Sequence, residues 1–239
     1  MSHRRQLLIG WSVALLVAAA FARLGIWQSD RAVEKQHMLD DVAAVLRTPT
    51  PGPLSAAHDP ARSRDYAWAA GQGRFRGPPL WLDNQQREGR VGVRGYALFE
   101  PVDAAPLLVD IGWAPIAGDR HALPVVALPQ GDVAVRGLLA PPPSAGIAVG
   151  EPMARMGGTW LMLRVEPPAI AKALDLARSP APRVLRLDPA LPFGLPRDLA
   201  LLANTLPPDK HRGYAVQWFG LAITVLVIAL VLTFRGKRR

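Results

Sequence analysis

YAVQWFGLAITVLVIALVLTF, Tyr214 to Phe234, is the stretch on which the reading of this chain turns. Its 21 residues carry no formal charge. At a helical rise of about 1.5 Å per residue they reach roughly 31 Å, close to the thickness of a bilayer's hydrocarbon core. A core helix of a soluble protein keeps a polar stripe over such a length, and here only Gln217 and Thr224 break the run early. Tyr214, Trp218 and Phe219 stand at its start, where amphipathic rings favour the headgroup depth. The pattern predicts a membrane-spanning helix.

A second apolar run, Leu7 to Trp27, lies near the other end. Arg4 and Arg5 before it, the apolar centre and Ala20-Phe21-Ala22 together spell a secretory signal peptide. The other reading is an uncleaved anchor: Arg23 snorkels to the interface and the helix continues to Trp27. Arg4 and Arg5 precede the first run, and Arg235, Lys237, Arg238 and Arg239 follow the last. Basic flanks of this kind mark the cytoplasmic side of spanning helices. The expected layout is therefore a cytoplasmic tail (1–6), a first transmembrane helix (7–27), an extracytoplasmic β-rich domain (28–210), a second transmembrane helix (211–234, core 214–234) and a basic cytoplasmic tail (235–239). In a bacterium this means the inner membrane, with both termini cytoplasmic and the central domain periplasmic.

Net charge is +9, from 28 basic and 19 acidic residues, but the two tails hold six of the basic and none of the acidic ones. The middle is only mildly basic, so the charge points to a lipid bilayer and not to a nucleic-acid partner. There is no cysteine, which excludes disulfides, thiolate metal sites and thiol redox chemistry.

Between the anchors, Ser29-Asp30 can cap a helix running to about Arg47, which Thr48-Pro49-Thr50-Pro51-Gly52-Pro53 must end. Leu54 to Asp65 reads as loop. Short apolar runs between Gly and Pro clusters then predict strands over Tyr66–Phe75, Leu80–Asp83, Gly92–Glu100, Pro106–Ala114, Asp132–Ala140, Trp160–Val165 and Val184–Asp188, with a short helix over Ala169–Ala177. Val133, Val135 and Leu139 alternate as in a half-buried strand. The fold class expected is a membrane protein of α+β type: two transmembrane helices flanking a mainly antiparallel, barrel-like or sandwich-like domain with short helices.

Catalytic signatures are absent. There is no G-x-S-x-G elbow, no H-E-x-x-H helix and no phosphate-binding loop. Gly71-Gln72-Gly73-Arg74-Phe75-Arg76 fails the dinucleotide fingerprint at its last position, and Gly73 reads as a bulge or a close backbone approach. None of the five histidines (His3, His37, His58, His121, His211) pairs with another at ligand spacing. No catalytic residue and no resident metal site is expected.

His211 lies three residues before Tyr214 and seven before Trp218, which predicts one shared helical face. Such a face is either an interfacial anchor or an axial haem ligand with an aromatic wall. Trp27, Arg31 and Lys35 recur at i, i+4, i+8 just outside the first span, with Glu34 placed to pair with Arg31. That stripe is either a solvated helix face or a cationic patch for lipid headgroups, haem propionates or an acidic partner.

Four segments in order carry a resemblance. Leu24-Gly25-Ile26-Trp27-Gln28-x-x-Arg31-x-x-x-Lys35, then Gly73-x-Phe75 with Leu82-Asp83-Asn84-Gln85, then Leu108-Val109-Asp110-Ile111-Gly112-Trp113, and finally His211-x-x-Tyr214-x-x-x-Trp218-Phe219-Gly220-Leu221-Ala222 resemble the signatures of the surfeit locus protein one family. The family usually has Asn-Arg where this chain has Asn84-Gln85 and Asp110-Ile111, and Asn-His-Leu where it has Lys210-His211-Arg212. The resemblance implies an uncleaved first anchor. It also implies a chaperone-like factor for assembly of cytochrome c oxidase in the respiratory chain. Such a factor acts around delivery or insertion of haem a into subunit one, alongside other assembly factors. It makes His211 a candidate haem a ligand, with Tyr214 and Trp218 beside it and Arg31 and Lys35 as candidate propionate contacts. Two alternatives stand beside this reading: a membrane-tethered scaffold that binds oxidase subunits without haem, and a periplasmic enzyme acting on haem or lipid.

Overall fold

The computed structural model describes residues 3–116, 123–144, 150–156, 158–201 and 205–236; His121 and the basic residues Lys237, Arg238 and Arg239 lie outside them. The chain forms two compact units, Met1–Asp40 with Thr205–Arg239, and Asp41–Asn204.

The first unit is built on two long helices, α1 (His3–Arg47) and α3 (Pro208–Gly236). No proline interrupts α1, so it runs through Ser29-Asp30 without the fresh start expected there. The Ser29 hydroxyl donates to the Gly25 carbonyl, one turn back, instead of capping a new helix. Thr48-Pro49 then ends α1, since the residue before proline is pushed out of helical geometry. Both helices are long and apolar enough to cross a membrane, and only 6% and 11% of their most apolar stretches are buried. A core helix of a soluble protein would bury most of that surface.

What the two helices do bury is a narrow seam. On α1 the seam runs through the less exposed Leu7, Trp11, Ala14, Ala18, Phe21, Gly25, Gln28, Ala32 and Lys35, alternating four and three apart, with the half-buried Ala22, Ser29 and Gln36 beside it. On α3 they are His211, Ala215, Trp218, Ala222, Val225 and Ala229, with the same alternation. This 3.5-residue period is that of paired helices winding on each other, and the small residues let the backbones approach. The helices run antiparallel: Trp11 Nε1–H donates to Thr233 Oγ1 at 3.0 Å near one end, and His211 meets Gln28 near the other.

The second unit is a mixed sheet with few helices. Its strands are β1 (Gly52–Pro53), β2 (Ala67–Arg87), β3 (Arg90–Pro101), β4 (Leu107–Pro115), β5 (Val133–Ala140), β6 (Met153–Met156), β7 (Thr159–Met162) and β8 (Val184–Leu187), with helix α2 (Pro167–Ala173) before β8. Among the described residues, five of the eight pairings are antiparallel, while β1–β2, β2–β7 and β4–β8 are parallel. Pairing proceeds β2–β3–β4–β8–β5 and returns from β5 to β2. The long β2 makes this possible. Its first half pairs with β5 and its second half with β7, while β3 follows most of its length.

Several local expectations are corrected. Tyr66–Phe75 and Leu80–Asp83 belong to the single strand β2; the Gly77-Pro78-Pro79 segment only shifts its register on β3, because β3 pairs on both sides of the irregularity. Leu54–Asp65 contains two 3₁₀ turns, Leu54–His58 and Pro60–Arg62. The strand expected over Trp160–Val165 stops at Met162, and its antiparallel partner β6 went unread because Met-Ala-Arg-Met has no alternation. The expected helix Ala169–Ala177 starts two residues earlier and ends at Ala173, with Asp175 at φ +52°. At the β2–β3 hairpin, Glu88 and Gly89 both have positive φ, the conformation that joins two strands through two residues.

Strand β3 is buried on both faces. Ala97 and Phe99 enter one core with Leu107, Val109, Ile111, Val135, Leu139 and Leu185. Tyr96 and Leu98 enter a second with Leu80, Leu108, Met162 and Ile170 of α2. Alternate residues of a strand point to opposite faces, so covering both faces replaces the half-buried pattern with continuous apolar runs.

Candidate functional site

One end of the α1–α3 seam gathers the polar residues. Gly25, Gln28, Ala32 and Lys35 succeed one another at the seam spacing on α1, and His211, Ala215 and Trp218 on α3. His211 is 8% exposed. Its Nδ1 lies 2.7 Å from Gln28 Oε1. A carboxamide oxygen only accepts, so Nδ1–H donates and the ring is the tautomer whose lone pair sits on Nε2. One turn deeper, a Cβ on Gly25 would stand 2.7 Å from the ring of Phe219, so a larger residue there requires that ring to move. Phe21 and Trp218 stack across the seam with centroids 5.5 Å apart. On the outer side, Arg212 is paired with Asp209 at 2.8 Å and reaches Gln36 at 3.4 Å.

The charges that act on His211 at this end are positive. Arg31 is held by Glu34 at 2.6 Å, as the spacing predicts, and both are exposed. Lys35 is partly buried, and its pKa is lowered by that burial and by the neighbouring Arg31, with Glu34 opposing. His211 precedes the apolar run at Tyr214; its pKa is lowered by burial, then by the positive charges of Arg31 and Lys35. The imidazole is thus kept neutral beside two cations.

The sequence-predicted residues divide into three groups. Gln28, Arg31, Lys35 and His211 come together at this end of the first unit, with Gly25 setting the close approach. Tyr214 and Trp27 do not join them: they are 42% and 54% exposed and point away from the seam. Trp218, expected on one face with His211, is on the seam but packs on Phe21, because at 3.5-residue spacing positions 211, 215 and 218 line up and 214 does not.

Asn84, Gly112 and Trp113 belong to the second unit, where they build structure. Asn84 takes φ +56° at an irregularity of β2, with its N–H received by the Asp83 carboxylate at 2.7 Å. Gly112 has φ +114° and lies so close to Leu195 that a Cβ would stand 2.6 Å from that carbonyl oxygen. Trp113 donates from its backbone to Pro196 and from Nε1 to the Gln85 carbonyl. Gly73 passes so close to Glu100 that a Cβ would collide with its carbonyl, which is the close-approach reading of that glycine.

A buried ionic cluster beside Gly112 was not legible. Asp110 receives Arg94 Nη1 at 2.7 Å and lies 3.4 Å from Arg186 Nε, all three being nearly inaccessible. Arg186 also donates to the carbonyls of Asp198, Leu199 and Ala200, and Arg197 to those of Asp188, Leu191, Phe193 and Leu195, so these guanidinium groups hold the segment after β8. Neither arginine stands in a recognisable motif, and only the fold puts them at their acceptors. The sequence places Phe219 at the headgroup depth and in the closing signature but not against Gly25, and it gives Phe21 and Gln36 no role at the site; their seam or near-seam positions are the available signal. Among the described residues, no group of three or more His, Asp or Glu is placed to hold a metal ion.

The family model described as the SURF1 family matches residues 15–223, from within α1 to within α3. No curated protein matches the chain.

Proposed function

Because the chain belongs to the SURF1 family, which is associated with assembly of cytochrome c oxidase, we propose that it is a non-catalytic assembly factor, anchored by α1 and α3, that acts around delivery of haem a to subunit one of a haem–copper oxidase. In a bacterium, the sheet unit would lie in the periplasm and both termini in the cytoplasm. The observation that carries the reading is the His211–Gln28 pair on the seam, with Arg31 and Lys35 acting on the same imidazole.

The residues fit the group. A neutral imidazole whose Nδ1–H is held by an acceptor is the form that ligates a metal through Nε2. Arg31 and Lys35 bring positive charge with a single acidic neighbour, Glu34, between them, so carboxylates would be welcome there. Haem a, when bound, would supply an iron that an imidazole can ligate and two propionates. His211 would ligate, Arg31 and Lys35 would contact the propionates, and Tyr214, exposed at the membrane surface, would flank the group. Trp218 would act from behind by fixing α3 on Phe21.

A second reading draws on the same pair. His211 is buried and engaged with Gln28, which suits a clasp joining two anchors in a scaffold that binds oxidase subunits without haem. The protein is to be purified from cells that make haem a. The first reading expects a Soret band that His211→Ala abolishes. A band unchanged in His211→Ala sinks the ligand role, and no haem in the wild type leaves the scaffold. Normal haem a content and oxidase activity in a deletion strain would refute both.

A further inference from the structure

At the other end of the helix pair, where the basic tails emerge, α1 and α3 part to leave a groove of about 440 Å³. It is lined by Leu7, Gly10, Ala14 and Val17 of α1 and by Val225 and Leu232 of α3, among others. Two of its polar side chains, Trp11 and Thr233, are bonded across the pair, and Gln6 stands at its mouth. Trp11 Nε1–H donates to Thr233 Oγ1, whose own hydroxyl donates to the Ala229 carbonyl. The groove offers an apolar surface and no buried donor that water must serve. We propose that it holds one acyl chain of an anionic phospholipid, with the phosphate resting among Arg4, Arg5 and Arg235. The inference rests on the membrane-spanning reading of α1 and α3.

Depth, width and charge each select that occupant. The α1 lining runs from Gln6 to Val17, about 17 Å of helix, which is one leaflet of a hydrocarbon core about 30 Å thick. A groove of about 440 Å³ over that length admits a polymethylene chain, about one carbon–carbon contact (~4 Å) wide. Arg4 and Arg5 sit within one turn of the groove's mouth on α1, and Arg235 two residues beyond Thr233 on α3. No acidic residue precedes Asp30 or follows Asp209 in the chain, so nothing in the sequence at that end neutralises them.

Gly10 makes the space. A Cβ built on it meets nothing within 4 Å, although glycine weakens a helix. Gly10→Leu would fill the groove with a better helix former, and folding should not suffer. The test uses the full chain in nanodiscs of phosphatidylcholine containing phosphatidylglycerol, released into mild detergent for native mass spectrometry. The wild type should retain one phosphatidylglycerol, and Gly10→Leu should cut that occupancy at least tenfold. Arg4→Gln with Arg5→Gln should keep a lipid but lose the preference for the anionic headgroup. Leu16→Ala, on the outward face at 72% exposure, should change nothing. Retention of no lipid, equal retention of both lipids by the wild type, an unaltered Gly10→Leu, or a second copy or partner helix crosslinked through position 10 would each overturn the proposal. A chain that stays soluble without detergent would instead remove the spanning reading beneath it, whereas a membrane-integral chain without lipid overturns this proposal alone.

Discussion

Asp110→Ala removes one carboxylate from the interior of the sheet unit and leaves two guanidinium groups behind. Asp110 is 3% exposed; its Oδ2 receives Arg94 at 2.7 Å and lies 3.4 Å from Arg186, and its Oδ1 accepts the Gly112 N–H at 3.1 Å. Breaking a buried pair by deleting one partner costs about 3–5 kcal/mol, because the remaining charge keeps its desolvation penalty. The orphaned Gly112 N–H adds to that, toward the upper end of the range. A domain stable by about 5–15 kcal/mol would lose a third of its stability or more. Asp110→Asn keeps one acceptor oxygen, enough for Gly112 or for Arg94 but not for both, and turns an NH2 donor toward the other while losing the charge, so its cost should approach that of alanine. The assay is guanidinium unfolding of the detergent-solubilised chain, followed by near-ultraviolet circular dichroism, with both variants beside the wild type. A loss below about 1 kcal/mol for Asp110→Ala, the size of a surface pair, would refute the reasoning: Arg94 and Arg186 would have to be solvated.

Tyr96 lies in the same interior with its hydroxyl buried and without a hydrogen-bond partner among the described residues, and burial holds its pKa well above the ordinary value. Tyr96→Phe should therefore leave the unfolding midpoint unchanged or raise it, since an unsatisfied buried hydroxyl costs about 1–3 kcal/mol; a clear drop would reveal a partner for the oxygen. Gly25→Leu should drive Phe219 and α1 apart and stretch the His211–Gln28 bond beyond hydrogen-bonding distance, visible as a changed His211 ring-nitrogen shift by NMR. Phe219→Ala should restore the wild-type shift in the double variant, and failure of that rescue would place the effect elsewhere. For pH, the sign follows from a His211 pKa held below 6.5 in the packed pair by burial, Arg31 and Lys35. Separated helices bind the proton more readily, so packing is at full strength above about pH 6.5 and weakens as pH falls below it. Thermal unfolding between pH 8 and pH 5 should show that decline in the wild type and much less of it in His211→Gln.

The two long apolar helices are readable because an uninterrupted apolar run is a property of one segment, local to the sequence. The seam was also written there, as small and apolar residues every 3.5 positions, but a looser face pattern hid it and placed Tyr214 beside His211. Strands β3, β4, β5 and β8 were found within one or two residues. The break expected inside β2 was not one, since pairing with β3 carries the strand across Gly77-Pro78-Pro79.

Sequence alone thus determined the apolar lengths, the uneven placement of charge, the absence of cysteine and the order of the motifs. Each of these depends on what one segment does in water or lipid. Tertiary structure decided which motif residues work together. Gln28 and His211 are 183 positions apart and share a hydrogen bond, while Asn84, Gly112 and Trp113 serve turns and close backbone contacts in another unit. Asp110 reads as a variant strand residue until Arg94 and Arg186 arrive beside it. Hydrogen bonds and charge pairs act over a few ångströms of space, and only the folded chain sets those distances.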